Sequence, residues 1–281
     1  VCSNNSKNGP WIESEKAVKY TMEDAETRFS FDKKRVYTSG YSGGARLASL
    51  VALSTQKIAG VIGFCAGFPP DDKFNLSQIK GFDYIGLIGK RDRNYFELLD
   101  LEKKLQKVGL NARLLTSELS HELPSKESIR VAVEWMTFNA MKKNICIKND
   151  TFIYAQYNMY IENISGLEKN GDIVELATTI KYLINDFSGL MEISLYKAKL
   201  DSIINTKKYI NRIKEVEKIY DDERLIFKQY NTTSCNELYT DSIMNWWIWE
   251  ANKLKSMKNQ PNKYKQYMAS RLLNDIFSIY I

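Results

Sequence analysis

The pentapeptide Gly40-Tyr41-Ser42-Gly43-Gly44 has the form G-x-S-x-G. Between a strand and a helix, such a turn holds its serine in a strained backbone conformation, with the hydroxyl at the end of a sheet. Glycines are expected there because side chains in so tight a turn would clash with its neighbours. A serine hydroxyl is a poor nucleophile until a base takes its proton, and the chain has one histidine, His121. A lone histidine is more often a surface or satisfied residue; the serine motif upstream reverses that expectation. The imidazole in turn needs a carboxylate to fix its tautomer and support its positive charge. Asp92, in Gly89-Lys90-Arg91-Asp92-Arg93-Asn94, gives the chain order Ser42, Asp92, His121: nucleophile, acid, base. An acid at a helix N-terminus would account for Asp92 alone, but not for the order. Asp71, Asp72 and Asp100 are weaker candidates, the first two following an earlier strand and the third falling inside a helix. The chemistry these residues predict is acyl transfer from a carboxylic ester. Gly43 supplies a backbone N–H to the oxyanion, and Tyr41 contacts substrate. Neither cofactor nor metal is required.

These side chains meet only if the elements bearing them end at one edge of a sheet. Short β-branched or apolar runs predict strands at 35–39, 59–64, 84–88 and 112–116. Segments 13–29, 43–55, 95–108 and 124–142 read as helices, Gly109 as a C-cap and Pro124 as a helix start. Strands alternating with helices imply a parallel sheet covered on both faces. The fold class is therefore α/β over residues 1–146, and Ser42, Asp92 and His121 each follow a strand.

The pattern changes near residue 145. Four of the five prolines (Pro10, Pro69, Pro70, Pro124) precede it and only Pro261 follows. Residues 147–281 carry apolar side chains at helical spacing in segments 151–167, 172–185, 192–204, 207–228, 237–257 and 263–281. Breaks are expected at Gly166, Asn170-Gly171, Gly189, 231–234 and Pro261. An all-α domain of helical hairpins or a small bundle follows, with no repeat clear enough to name a solenoid.

The stretch Asn8-Gly9-Pro10, then Asp32-Lys33-Lys34-Arg35-Val36-Tyr37 leading into Ser39-Gly40-Tyr41-Ser42-Gly43-Gly44-Ala45-Arg46, resembles bacterial α/β-hydrolases of the polyhydroxybutyrate-depolymerase and feruloyl-esterase kind. The resemblance continues through Gly60, Gly67, Phe68, Pro69, Gly89, Asp92, His121 and Trp135 and covers about half the chain. It implies an α/β-hydrolase fold, a triad on Ser42, Asp92 and His121, and a periplasmic or secreted setting. Gly43 stands where the depolymerases usually carry alanine, so a polyester substrate is not carried over. Bacterial esterases, some with a helical C-terminal extension, are the closer resemblance. Such folds place several strands before the serine turn, and one of their loops gives a second oxyanion N–H. About forty residues precede Ser42 here, beginning with Val1-Cys2-Ser3, so an N-terminally truncated hydrolase domain is expected.

The remaining features are plainer. The net charge of +6, from 40 Lys+Arg and 34 Asp+Glu, falls well short of a nucleic-acid footprint. No apolar run approaches the roughly 18–20 residues of a membrane span. Cys2, Cys65, Cys146 and Cys235 lie too far apart for the usual zinc spacings and read as buried thiols, Cys65 included. Trp246, Trp247 and Trp249 are expected to pack between helices, and the lysines of 253–265 to form a solvated face. The rival to an esterase is a hydrolase-like domain without catalysis, fused to a helical-repeat module that binds a protein partner. The triad chemistry extends beyond esters to peptides and thioesters.

Overall fold

The computed structural model describes residues 11–69, 79, 81–236 and 241–280. The opening residues Val1-Cys2-Ser3 and Asn8-Gly9-Pro10, together with Pro70, Asp71 and Asp72, lie outside them. The chain divides into two compact units, Val1–Cys146 and Ile147–Ile281.

In the first unit the elements run α1 (Trp11–Arg28), β1 (Tyr37–Tyr41), α2 (Gly43–Thr55), β2 (Gly60–Phe64), β3 (Asp83–Gly89), α3 (Tyr95–Lys107), β4 (Ala112–Ser117) and α4 (Lys126–Lys142). The four strands form one parallel sheet in the order β1-β2-β3-β4. Its register matches Tyr37 with Gly60, Gly60 with Asp83, and Tyr84 with Ala112. Period-two alternation sends successive side chains to opposite faces. Val61, Tyr84 and Ala112 pack with Ala48, Val51, Leu101 and Leu105 of α2 and α3. Ile62, Ile85 and Leu87 pack with Ala132, Trp135 and Met136 of α4. The strands are thus covered on both faces, which is why they read as apolar runs rather than alternating ones.

Two local expectations shift. β1 runs over 37–41 instead of 35–39, so Gly40 and Tyr41 are still paired to Gly63 and Phe64 when the chain turns. Pro124 stands just before the helix rather than inside it. The N-cap is Ser125, whose hydroxyl accepts from the Ser128 N–H at 3.1 Å. Gly109 does close α3: it sits at φ +81, with the Leu110 N–H reaching back to Leu105. A groove of about 840 Å³ runs along β1 beside α1, lined in part by Met22, Phe29, Tyr37 and Leu47. Among the described residues, no strand pairs with that outer edge of β1.

The second unit is helical: α5 (Asp150–Asn170), α6 (Ile173–Phe187), α7 (Ser194–Ile204), α8 (Lys207–Asn236), α9 (Asp241–Met257) and α10 (Lys263–Tyr280). Two predicted breaks are not breaks. α5 passes through Gly166 and ends at Gly171, which takes φ +72 and returns its N–H to Leu167. An isolated glycine costs a helix about 1 kcal/mol but removes no hydrogen bond, so a helix already formed continues through it. α8 likewise continues across 231–234 to Asn236; its polar residues lower helix propensity without blocking the backbone. Residues 237–240, where the next helix was expected to begin, lie outside the described ones. The core joins α8, α9 and α10 through Val216, Ile219, Tyr230, Trp247, Leu254 and Leu272. Within it Arg271 donates two 2.6 Å hydrogen bonds to Glu223, both residues being buried. Trp246 and Trp247 pack as expected; Trp249 is exposed, with the Lys253 ammonium 5.3 Å from its ring centre.

Candidate active site

Ser42 sits between the end of β1 and the start of α2 with φ 52 and ψ −117, a conformation L-residues adopt rarely and at a cost. Two contacts hold it there. The Ser42 N–H donates to Phe64 O at 2.8 Å, and the Ser42 carbonyl accepts from the Ala45 N–H at 2.9 Å. Gly40 is the residue that makes the turn sterically feasible, since a Cβ on it would lie 2.1 Å from the Gly44 carbonyl oxygen. Gly44 is under no such demand, for a Cβ there meets nothing within 4 Å. The expectation that tightness requires every glycine of the motif therefore holds at Gly40 and fails at Gly44. Gly43 opens α2, and its N–H belongs to the first helical turn, whose donors have no intrahelical partner.

The parallel sheet brings the carboxyl ends of β1, β3 and β4 to one edge, and the three expected side chains meet there. His121 Nε2 lies 3.1 Å from Ser42 Oγ. His121 Nδ1 lies 2.9 Å from Asp92 Oδ2 and 3.1 Å from Oδ1. Carboxylate oxygens only accept, so the proton sits on Nδ1 and Nε2 is left as acceptor toward the serine hydroxyl. Asp92 is fully buried, and its Oδ1 also accepts from the Asn94 N–H at 2.9 Å. The His121 side chain keeps 28% of its surface exposed. Asp100, the weaker acid candidate, lies in the middle of α3.

The loop carrying His121 is pinned from two sides. A Cβ on Gly89 would lie 2.0 Å from Leu119 O, so the loop can run directly against the end of β3. Backbone N–H groups of Lys90 and Arg91 donate to Ser117 and Leu119, zipping the Asp92 and His121 loops together. On the other side, the Tyr41 hydroxyl donates to the His121 carbonyl at 2.9 Å, with the two rings 5.3 Å apart. Tyr41, expected at the substrate, thus positions the imidazole loop. A second brace crosses beneath. Arg46, one turn beyond Ser42, forms a two-pronged pair with Glu97 at 2.6 and 2.7 Å and also donates to Phe68 O. Glu97 Oε1 accepts from the Gly67 N–H as well, joining α2, α3 and the segment after β2.

Cys65 is buried, as expected, and also stands at this site. It follows β2 at the same sheet edge, is fully buried, and holds φ +59. Its thiol donates to Glu122 O at 3.1 Å. Its sulfur, an Asp92 oxygen and a His121 nitrogen all lie within 4.8 Å of one another. Burial first, and then the adjacent Asp92 charge, pushes the thiol up to about 12. The rule that located Ser42 and Asp92, one residue or a few past a parallel strand, applies equally to Cys65 and could have found it.

A buried carboxylate, an imidazole and a strained serine in this sequence of contacts can remove a proton from the hydroxyl and return it to a leaving group. No protein-family model matches the chain, and no curated protein matches it either.

Proposed function

We propose that the chain is a serine hydrolase of the α/β-hydrolase kind, acting on carboxylic esters. The observation that carries this reading is the unbroken contact series Ser42 Oγ, His121 Nε2, His121 Nδ1, Asp92 at hydrogen-bond distance. Ser42 attacks the acyl carbon while His121 takes its proton; Asp92 keeps the ring oriented and supports the imidazolium. The Gly43 N–H stabilises the oxyanion. His121 then protonates the leaving alcohol, and water, deprotonated by the same imidazole, releases the acid from Ser42. Tyr41 lies beside the imidazole, where it meets the substrate.

The rival, a hydrolase-like unit that no longer catalyses, fused to a helical binding module, is favoured by the helical second unit and by the unpaired outer edge of the Ser42 strand among the described residues. Retention of all three contacts, with the backbone strain at Ser42, weighs against it. Strain of that kind costs stability and persists where it serves a site. Turnover of a short-chain p-nitrophenyl ester tests the proposal. Wild type should hydrolyse it, and Ser42→Ala and His121→Ala should each lose about four orders of magnitude or more in kcat. Equal rates in all three proteins would overturn it.

A further inference from the structure

Catalysis by Ser42, His121 and Asp92 gives no use to Cys65. A buried cysteine at φ +59 is strained, and glycine would take that backbone freely. Its thiol nevertheless stands against the proposed base, His121, and the carboxylate that orients it. Thiolate, imidazole and carboxylate are the three donor types that bind zinc-like ions. From the usual metal–ligand bond lengths, neighbouring donors of a tetrahedral site stand about 3.3–3.5 Å apart. The three donor atoms here already lie within 4.8 Å of one another, so the widest pair closes by about an ångström, while the Asp92–His121 pair, at 2.9 Å, opens by a few tenths to admit the ion. The His121 backbone is pinned, so the adjustment falls to its partly exposed imidazole, and that exposed side admits water as a fourth ligand.

We propose that Cys65, Asp92 and His121 form a binding site for a soft divalent cation of the zinc type, which switches Ser42 off. On uptake the Cys65 S–H bond breaks, a sulfur–metal bond forms, and one proton leaves to solvent. A dication with one thiolate and one carboxylate is charge-neutral, which suits a buried location. Ligation through Nδ1, the nitrogen facing Asp92, moves the ring proton to Nε2. Nε2 then no longer accepts from the Ser42 hydroxyl, and the nucleophile loses its base. Because a proton is released, uptake tightens by about tenfold per pH unit while the thiol is protonated.

This goes beyond the esterase reading, and its test needs no turnover. Cobalt(II) reports a tetrahedral thiolate site by its visible absorption. Titrated into the whole chain, it should give that spectrum at one ion per chain with one proton released, and zinc should bleach it. Cys65→Ser and His121→Ala should each abolish the spectrum; the His121 side chain is partly exposed and its loop is held by backbone bonds, so its variant keeps the fold even if the cysteine variant does not. Absence of the spectrum in wild type, or its persistence in either folded variant, would overturn the site. Ester hydrolysis, if present, should fall on zinc addition and recover with a chelator.

Discussion

Gly40 and Gly44 are chemically identical neighbours of one serine, and they should respond oppositely to the same substitution. Gly40→Ala drives a Cβ into the Gly44 carbonyl; it should cost about 1–3 kcal/mol of stability and abolish any activity at Ser42. Gly44→Ala enters open space on a helix and should be neutral or stabilising by up to about 1 kcal/mol. Denaturant midpoints of the two variants check this directly. Cys65 makes a second prediction at this scale. Its thiol is pushed up to about 12 in the fold, whereas an unfolded thiol ionises near about 8.5. The folded chain therefore keeps a proton that the unfolded chain gives up. The stability this contributes is fully present below about pH 8.5 and is lost as pH rises toward the folded value. Cys65→Ser should flatten the alkaline decline in denaturation midpoint; an unchanged slope would place the decline elsewhere.

At the scale of elements, Gly166 lies within α5 with nothing near its missing Cβ. Gly166→Ala should raise the stability of the helical unit by about 0.5–1 kcal/mol, read as a higher thermal midpoint. The same residue shows where sequence reading stops. Strands β2, β3 and β4 were legible because burial on both faces makes each an apolar run between turn residues. Ser42, Asp92 and His121 were legible because a parallel sheet delivers strand ends to one edge. β1 was misplaced by two residues because its sheet pairing, which no local pattern encodes, extends through Gly40 and Tyr41. Gly166 and the 231–234 segment were read as stops because propensity ranks residues one at a time, while a helix propagates as a unit. The Arg46–Glu97 brace and the Tyr41 bond to the His121 carbonyl are contacts between distant segments. Only the folded arrangement discloses them.

At the scale of the whole molecule, the chain is two compact units, each with its own core. The helical unit holds a buried ion pair: Glu223→Gln takes the carboxylate from the two hydrogen bonds that the buried Arg271 guanidinium donates and should destabilise by about 1.5–3 kcal/mol. Replacing both partners with leucine should recover most of that loss, and equal damage in the double variant would show that the pair acts through packing alone. No helix among the described residues is long and apolar enough to cross a membrane. The two-unit account makes Ser42 chemistry a property of the first unit, so Glu223→Gln should leave it unchanged at temperatures where both units stay folded. The measurement that bears most directly on the central claim is covalent labelling of the whole chain by a fluorophosphonate, read by mass spectrometry. The account predicts one adduct, on Ser42, absent in Ser42→Ala and strongly slowed in His121→Ala. An adduct on another residue, or labelling unchanged in Ser42→Ala, would contradict it.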